Sequence, residues 1–149
     1  MTSTTYDTLE ELKKYPETED IIKRLNSMGS RTFHGVDATD LATTFVGKLH
    51  QDGESSPDGA SAAIAAPKFD RILFQFPLAH PPATHAEYMA QPDPVTQNKI
   101  LLRKFLVGAT RLLAPNAEIH ITSKEVKPYA WWRIHTLANG LAATTFVGK

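Results

Sequence analysis

Two short stretches bring together residue types able to hold a flat, partly polar ligand. Gln75, Phe76 and Pro77 follow one another at the end of the apolar run Ile72-Leu73-Phe74. A carboxamide presents a donor and an acceptor to a heterocycle edge, and an aromatic ring presents a face for stacking. In the second stretch, Lys124, Lys127 and Arg133 interleave with Tyr129, Trp131 and Trp132. Cations alternating with rings at the edge of a site suit single-stranded RNA. The same residues also read as a solvated rim around a core Trp132. Asp37 stands just past the break of an expected strand at Gly35. A carboxylate there accepts from hydroxyls or an exocyclic amine, or it simply caps a turn. His80 and His85 flank a proline loop with no evident third ligand, so no metal centre is expected.

The elements that must position these groups alternate. Residues 6–29 read as helix in two pieces, with Thr8 and Glu11 at capping-box spacing and Pro16 between them. Ile21, Ile22, Leu25 and Met28 form the expected buried stripe, and Gly29 the stop. Arg31-Thr32-Phe33-His34 reads as a short strand that breaks at Gly35, and residues 50–67 as a mobile insertion without fixed structure. The run Arg71–Phe76 reads as a strand buried on both faces and ended by Pro77. A proline-rich loop then leads to a helix capped by Asp93, with Pro94 in its first position. Leu101, Leu102, Phe105, Ala109, Leu112 and Leu113 point inward. A strand over 117–124 and a helix over 128–140, stopped at Gly140, complete the order. Strands alternating with helices predict a doubly wound, mainly parallel α/β sheet, with ligands beyond the carboxyl ends of the strands.

Bulk composition narrows the class. With 149 residues and 42% apolar side chains the chain is expected to form one domain with a real core. Sixteen basic residues balance sixteen acidic ones, so any nucleic-acid contact must rest on a local patch. Cysteine is absent, which removes disulfides and thiolate metal sites. No apolar run approaches the roughly 18 residues of a membrane span, and a soluble intracellular chain is expected. The heptapeptide ATTFVGK occurs at 42–48 and again at 143–149 without a surrounding repeat architecture, and it lacks the pattern of a nucleotide-binding P-loop.

Five stretches, in order, resemble one family. GVDATDL, FDRILFQFP, NKILLRKFLVGATRLL, EIHITSK and PYAWWRIHTLA look like the domain of the 25S ribosomal RNA (uridine-N3)-methyltransferases. The resemblance runs from about Thr4 to Ala138. It implies a Rossmann-like fold, S-adenosylmethionine as cofactor, large-subunit ribosomal RNA as partner and a nuclear or nucleolar site of action. It implies cofactor contacts at Asp7, at Asp37 and at the adjoining Ala38. It also implies catalytic positions at Gln75, Phe76 and Pro77, and substrate contacts at Lys124 and Tyr129. Because N3 lies on the pairing edge, the uridine must be unpaired to react. His80, His85, Asp37 and Lys124 are candidates on position alone for taking its proton.

The sequence also departs from the family. Where the family ends its fourth strand in Asn-Phe-Pro-His with a nearby glycine, this chain has Gln75, Phe76, Pro77, Leu78 and then His80. The glycine-rich cofactor loop after a first strand has no counterpart, and Met1 falls within the second strand of the resembled fold. The expectation is therefore a partial, truncated domain spanning 1–149. The alternative is an inactive remnant that binds RNA or protein at most.

Overall fold

The computed structural model describes residues 1–53, 66–82 and 84–141. Contacts cluster into two compact units, Met1–Ala66 and Pro67–Lys149. The chain is mixed α/β, with one parallel two-stranded sheet in each unit among the described residues.

In the first unit, β1 (Thr2–Thr4) pairs in parallel with β2 (Arg31–Phe33). The connection between them carries α1 (Leu9–Leu12) and α2 (Thr18–Ser27), since parallel neighbours need a crossover. Helix α1 starts on the expected capping box: the Glu11 backbone N–H donates to Thr8 Oγ1, and the Thr8 backbone N–H donates to the Glu11 carboxylate at 2.8 Å. Gly29 ends α2 at φ +75, a conformation that costs glycine little. The buried stripe of α2 is narrower than its periodicity suggests. Ile22 and Leu25 are half-buried, whereas Ile21 and Met28 are 50% and 71% exposed.

Past β2 the chain makes a π-helical turn, Ala42–Val46, which runs into α3 (Gly47–Gly53). This turn and the first two residues of α3 make up the first ATTFVGK copy, and its Phe45 ring meets Phe33 edge-on at 5.5 Å. The motif thus serves packing here; the second copy lies outside the described residues. The segment expected to lack fixed structure begins as helix, because α3 includes His50 to Gly53. Residues 54–65 are not among those described.

In the second unit, β3 (Phe69–Gln75) pairs in parallel with β4 (Leu113–Thr122). Helices α4 (His85–Ala90) and α5 (Pro94–Thr110) lie in the connection. The proline-rich segment expected to be all loop therefore holds a short helix, capped by the Thr84 hydroxyl. Helix α5 buries Leu102, Phe105, Leu106 and Ala109, and the Phe105 ring lies 4.5 Å from that of Phe74. That contact covers one face of the β3–β4 pair. The other face is open: Leu73 is 57% exposed, and beside it Arg71 reaches Glu118 at 3.5 Å. Burial on both faces of β3, expected from its Ile-Leu-Phe run, is thus not observed. The residues alternate inward and outward as in a half-covered sheet.

Strand β4 is longer than the sequence suggests. Phe69 faces Leu113, yet Arg71, two residues on, faces Glu118, five residues on. Three extra residues of β4 are absorbed in a bulge that contains Pro115 and Asn116, the latter at φ +62. The last expected helix is broken too. Tyr129–Trp132 is a 3-10 turn, Arg133 takes φ +47, and α6 covers only Ile134–Leu137. The Arg103 guanidinium holds α6 against α5 by donating to the Leu137 and Asn139 carbonyls.

The start of α5 generates a test. Asp93 Oδ1 accepts from the backbone N–H groups of Val95 and Thr96 at 3.0 and 3.1 Å, and the Thr96 hydroxyl donates to Oδ2 at 2.6 Å. These bonds, the Thr96 hydroxyl first, hold the Asp93 carboxyl below its ordinary value. A lowered folded-state pKa stabilises the fold at pH values above the unfolded value, about 3.9. The contribution is lost as pH falls through the lower folded value. Asp93→Ala is therefore expected to reduce Tm by a few degrees between about pH 5 and 7. The gap to wild type should narrow below about pH 4, as read by circular dichroism melts across pH.

Candidate functional site

The carboxyl ends of β3 and β4 open onto a cavity of about 320 Å³. Three of its wall residues, Phe76, Pro77 and Leu78, come directly after β3. Ser123 and Lys124 come directly after β4, and Tyr129 and Trp132 belong to the 3-10 turn. The closing bond of the sheet, from the Phe76 backbone N–H to the Thr122 carbonyl at 2.9 Å, sets the two exits side by side. Phe76 then turns at φ +47, an uncommon conformation for a bulky residue. Pro77, fully buried, ends the ladder.

The far wall is aromatic and cationic. Trp132 is 2% exposed and meets Tyr129 at 5.1 Å between ring centroids. The Lys124 ammonium lies 5.5 Å from the centroid of Tyr129, a cation–π distance. Outside the cavity the pattern repeats, with Lys127 5.5 Å from the exposed Trp131 ring. A solvated rim and an aromatic–cationic surface therefore coexist in this stretch. Trp132 is core, while Lys124, Lys127 and Trp131 are accessible.

Two features at or near the cavity leave little mark on the sequence. Asn98, buried in the first turns of α5, accepts from the Ala79 backbone N–H at 2.9 Å through Oδ1. Its Nδ2 donates to the Pro94 carbonyl at 2.7 Å. This amide fastens the segment after Pro77 to the helix. Its only trace in the sequence is a polar residue on the apolar face of α5. Ser123 is the other: its hydroxyl is buried and has no hydrogen-bond partner among the described residues.

Of the residues that the sequence singles out, Phe76, Pro77, Lys124 and Tyr129 come together on this cavity. Gln75 does not: it pairs with Thr122 at the end of β3, its side chain exposed. His85 opens α4 and stacks on Tyr88 at 6.4 Å.

Asp7, Asp37 and Ala38 belong to the first unit, at the carboxyl end of the β1–β2 pair. The Asp7 carbonyl accepts from the Gly35 N–H at 3.1 Å, prolonging the ladder, and its carboxylate lies 3.5 Å from the Lys14 ammonium. Asp37 Oδ1 accepts from the Thr39 N–H at 2.7 Å. The Asp37 N–H donates to Thr44 Oγ1 at 3.0 Å, and the Thr44 hydroxyl reaches the Asp40 carbonyl at 2.6 Å. So Asp37 does cap its turn, and that cap pre-orients the carboxylate. Its Oδ2 has no partner among the described residues and is available as an acceptor. Ala38, next to it, is half-buried.

Among the described residues no group of three His, Asp or Glu side chains is placed to hold a metal ion. None of the described helices is long and apolar enough to cross a membrane.

An α/β chain with a small aromatic cavity beyond its parallel strands is thus defined. Residues 1–146 match the family described as rRNA (uridine-N3-)-methyltransferase BTM5-like, and the chain belongs to that family. Among curated proteins it is 28% identical over 131 residues to heavy metal-associated isoprenylated plant protein 41 of Arabidopsis thaliana, covering 86% of this chain and 21% of the relative. It is also 28% identical over 141 residues to the uncharacterized protein At4g26485 of Arabidopsis thaliana, covering 94% of this chain and 58% of the relative. The chain thus spans about a fifth of one relative and under three fifths of the other. No solved structure matches it.

Removing the Asn98 amide leaves the Ala79 N–H unpaired in a part-buried setting. Asn98→Ala is expected to lower unfolding free energy by about 1–3 kcal/mol. Urea denaturation followed by tryptophan fluorescence measures the loss, and no change would mean that the amide does not hold this segment.

Proposed function

We propose that the chain is part of a methyltransferase that uses S-adenosylmethionine to methylate N3 of a uridine in large-subunit ribosomal RNA, acting in the nucleus or nucleolus. The reading carries with it a single, partial Rossmann-like, doubly wound domain over 1–149. Its main support is the cavity beyond β3 and β4, which lies within the stretch that matches the family. Its aromatic walls and Lys124 suit an unpaired base, which enzymes acting on base atoms must first extract from its stack. In this reading Phe76 and Pro77 shape the cavity and Tyr129 and Lys124 hold the base, while Gln75, the third residue of the proposed catalytic run, stays on the end of β3 outside the cavity lining.

Asp7, Asp37 and Ala38 are the residues proposed to hold the cofactor. The unpartnered Asp37 Oδ2 is chemically fit for that, since it can accept from a ribose hydroxyl or an exocyclic amine. Once bound, S-adenosylmethionine supplies an electrophilic methyl group on its sulfonium. The chain's part is to hold the base edge; the imide proton leaves N3 to a base, for which Lys124 on the cavity wall is a candidate by position and only as its neutral amine.

Gln75, Leu78 and His80 favour a second reading. They replace the asparagine, histidine and glycine of the resembled pattern, so binding of RNA without transfer stands as the alternative.

Radiolabelled S-adenosylmethionine and large-subunit ribosomal RNA lacking the modification test both. The expected product is N3-methyluridine, identified by mass spectrometry of nucleosides. Asp37→Ala should raise the KM for S-adenosylmethionine about tenfold. RNA binding without incorporation would select the second reading, and neither binding nor incorporation would remove both.

A further inference from the structure

The Ser123 hydroxyl is out of place unless something meets it. A buried hydroxyl normally finds a partner, and one left without costs stability. The Ser123 Oγ is shielded from solvent and unpartnered among the described residues, yet Ser123 forms part of the cavity wall. The surrounding wall is almost wholly apolar or aromatic: Phe76, Pro77, Leu78 and Trp132. Ser123 and Lys124 are adjacent in sequence and leave β4 together, immediately past Thr122, whose carbonyl closes the sheet. For a ligand to meet it, the hydroxyl must turn about the Ser123 Cα–Cβ bond toward the cavity, where the Lys124 ammonium is its neighbour in sequence. A lysine ammonium can only donate, and a serine hydroxyl donates when it meets a carbonyl. Rings for the faces of a ligand and two adjacent donors for its edge suit a planar heterocycle bearing ring carbonyls.

We infer that Ser123 is a base-binding residue, donating its hydroxyl to a ring carbonyl of a pyrimidine seated in the cavity between Phe76 and Tyr129. The inference rests on the base-binding reading of that cavity and adds to it the residue that orients the ring. It also explains why an uncompensated hydroxyl persists: the partner arrives with the ligand. A residue kept for binding at the expense of the unbound fold behaves in a characteristic way when removed. Stability holds or rises while affinity falls.

The test uses the purified chain and two short oligoadenylates, one with a single central uridine and the other abasic at that position. Fluorescence anisotropy gives affinities and thermal denaturation gives Tm. Ser123→Ala is expected to weaken binding of the uridine strand about tenfold, to leave the abasic strand unchanged, and to keep Tm equal or higher. Ser123→Thr, which retains the hydroxyl, is expected to keep most of the preference for the uridine strand. If wild type prefers the uridine strand but Ser123→Ala keeps that preference, the cavity reading survives and the role of Ser123 is overturned. Equal weakening of both strands, or a Ser123→Ala protein that melts lower or fails to fold, makes the hydroxyl structural and also overturns it. If wild type does not distinguish the two strands, the base-binding reading falls and takes the inference with it.

Discussion

Parallel pairing of β3 with β4 is the constraint on which the second unit depends. Two parallel strands must leave the sheet on the same side, so their next residues are neighbours without further instruction. Here those residues are Phe76-Pro77-Leu78 and Ser123-Lys124, five wall residues supplied by two strand exits. The same constraint forces a crossover, and the crossover is α5, which covers the face holding Phe74. Ladder, covering helix and cavity all derive from one pairing choice.

Holding that exit in shape has costs, all of them local. Phe76 sits at φ +47, where a bulky residue is strained by about 1–3 kcal/mol. Asn98 is a buried polar group, tolerable because both ends of its amide are engaged. Ser123 has no such compensation. The turn at Phe76 and the polar groups of Asn98 and Ser123 lie at one end of β3 and β4, while the middle of α5 is plain Leu and Phe packing. This division is usual where a fold is rigid in one place so that a site can be unfavourable in another.

The sequence was most legible where a local rule is strong. Asp93-Pro94 and the Thr8–Glu11 box mark helix starts because capping is a contact within a few residues, all visible in order. Proline after Phe76 marks the strand end for the same reason. Illegibility came from longer reach. Whether Leu73 is covered depends on what lies over the sheet, which an apolar triplet does not encode. The strand expected over 117–124 leaves Pro115-Asn116 outside it, and only the ladder shows them to be a bulge inside one. The break at Arg133 needs a left-handed residue that is not glycine, which propensity argues against. At the site, Phe76, Pro77, Lys124 and Tyr129 stood out because rings, proline and cations are conspicuous. Ser123 did not, since a serine after a strand is ordinary until its hydroxyl is found to lack a partner.

The bulge in β4 bears on how such a chain can vary in length. Paired strands ordinarily resist insertion, because one added residue turns every later side chain to the opposite face. At Pro115 and Asn116 that coupling is already relaxed: residues leave the ladder and the pairing resumes at Glu118. The relaxation sits near the entry of β4, and from Glu118 to Thr122 the register with β3 is unbroken. Residues can be gained or lost at this point over generations with little displacement of Thr122, Ser123 or Lys124. Divergent copies of the chain can therefore differ in spacing between Leu113 and Glu118 and still deliver the same residues to the cavity.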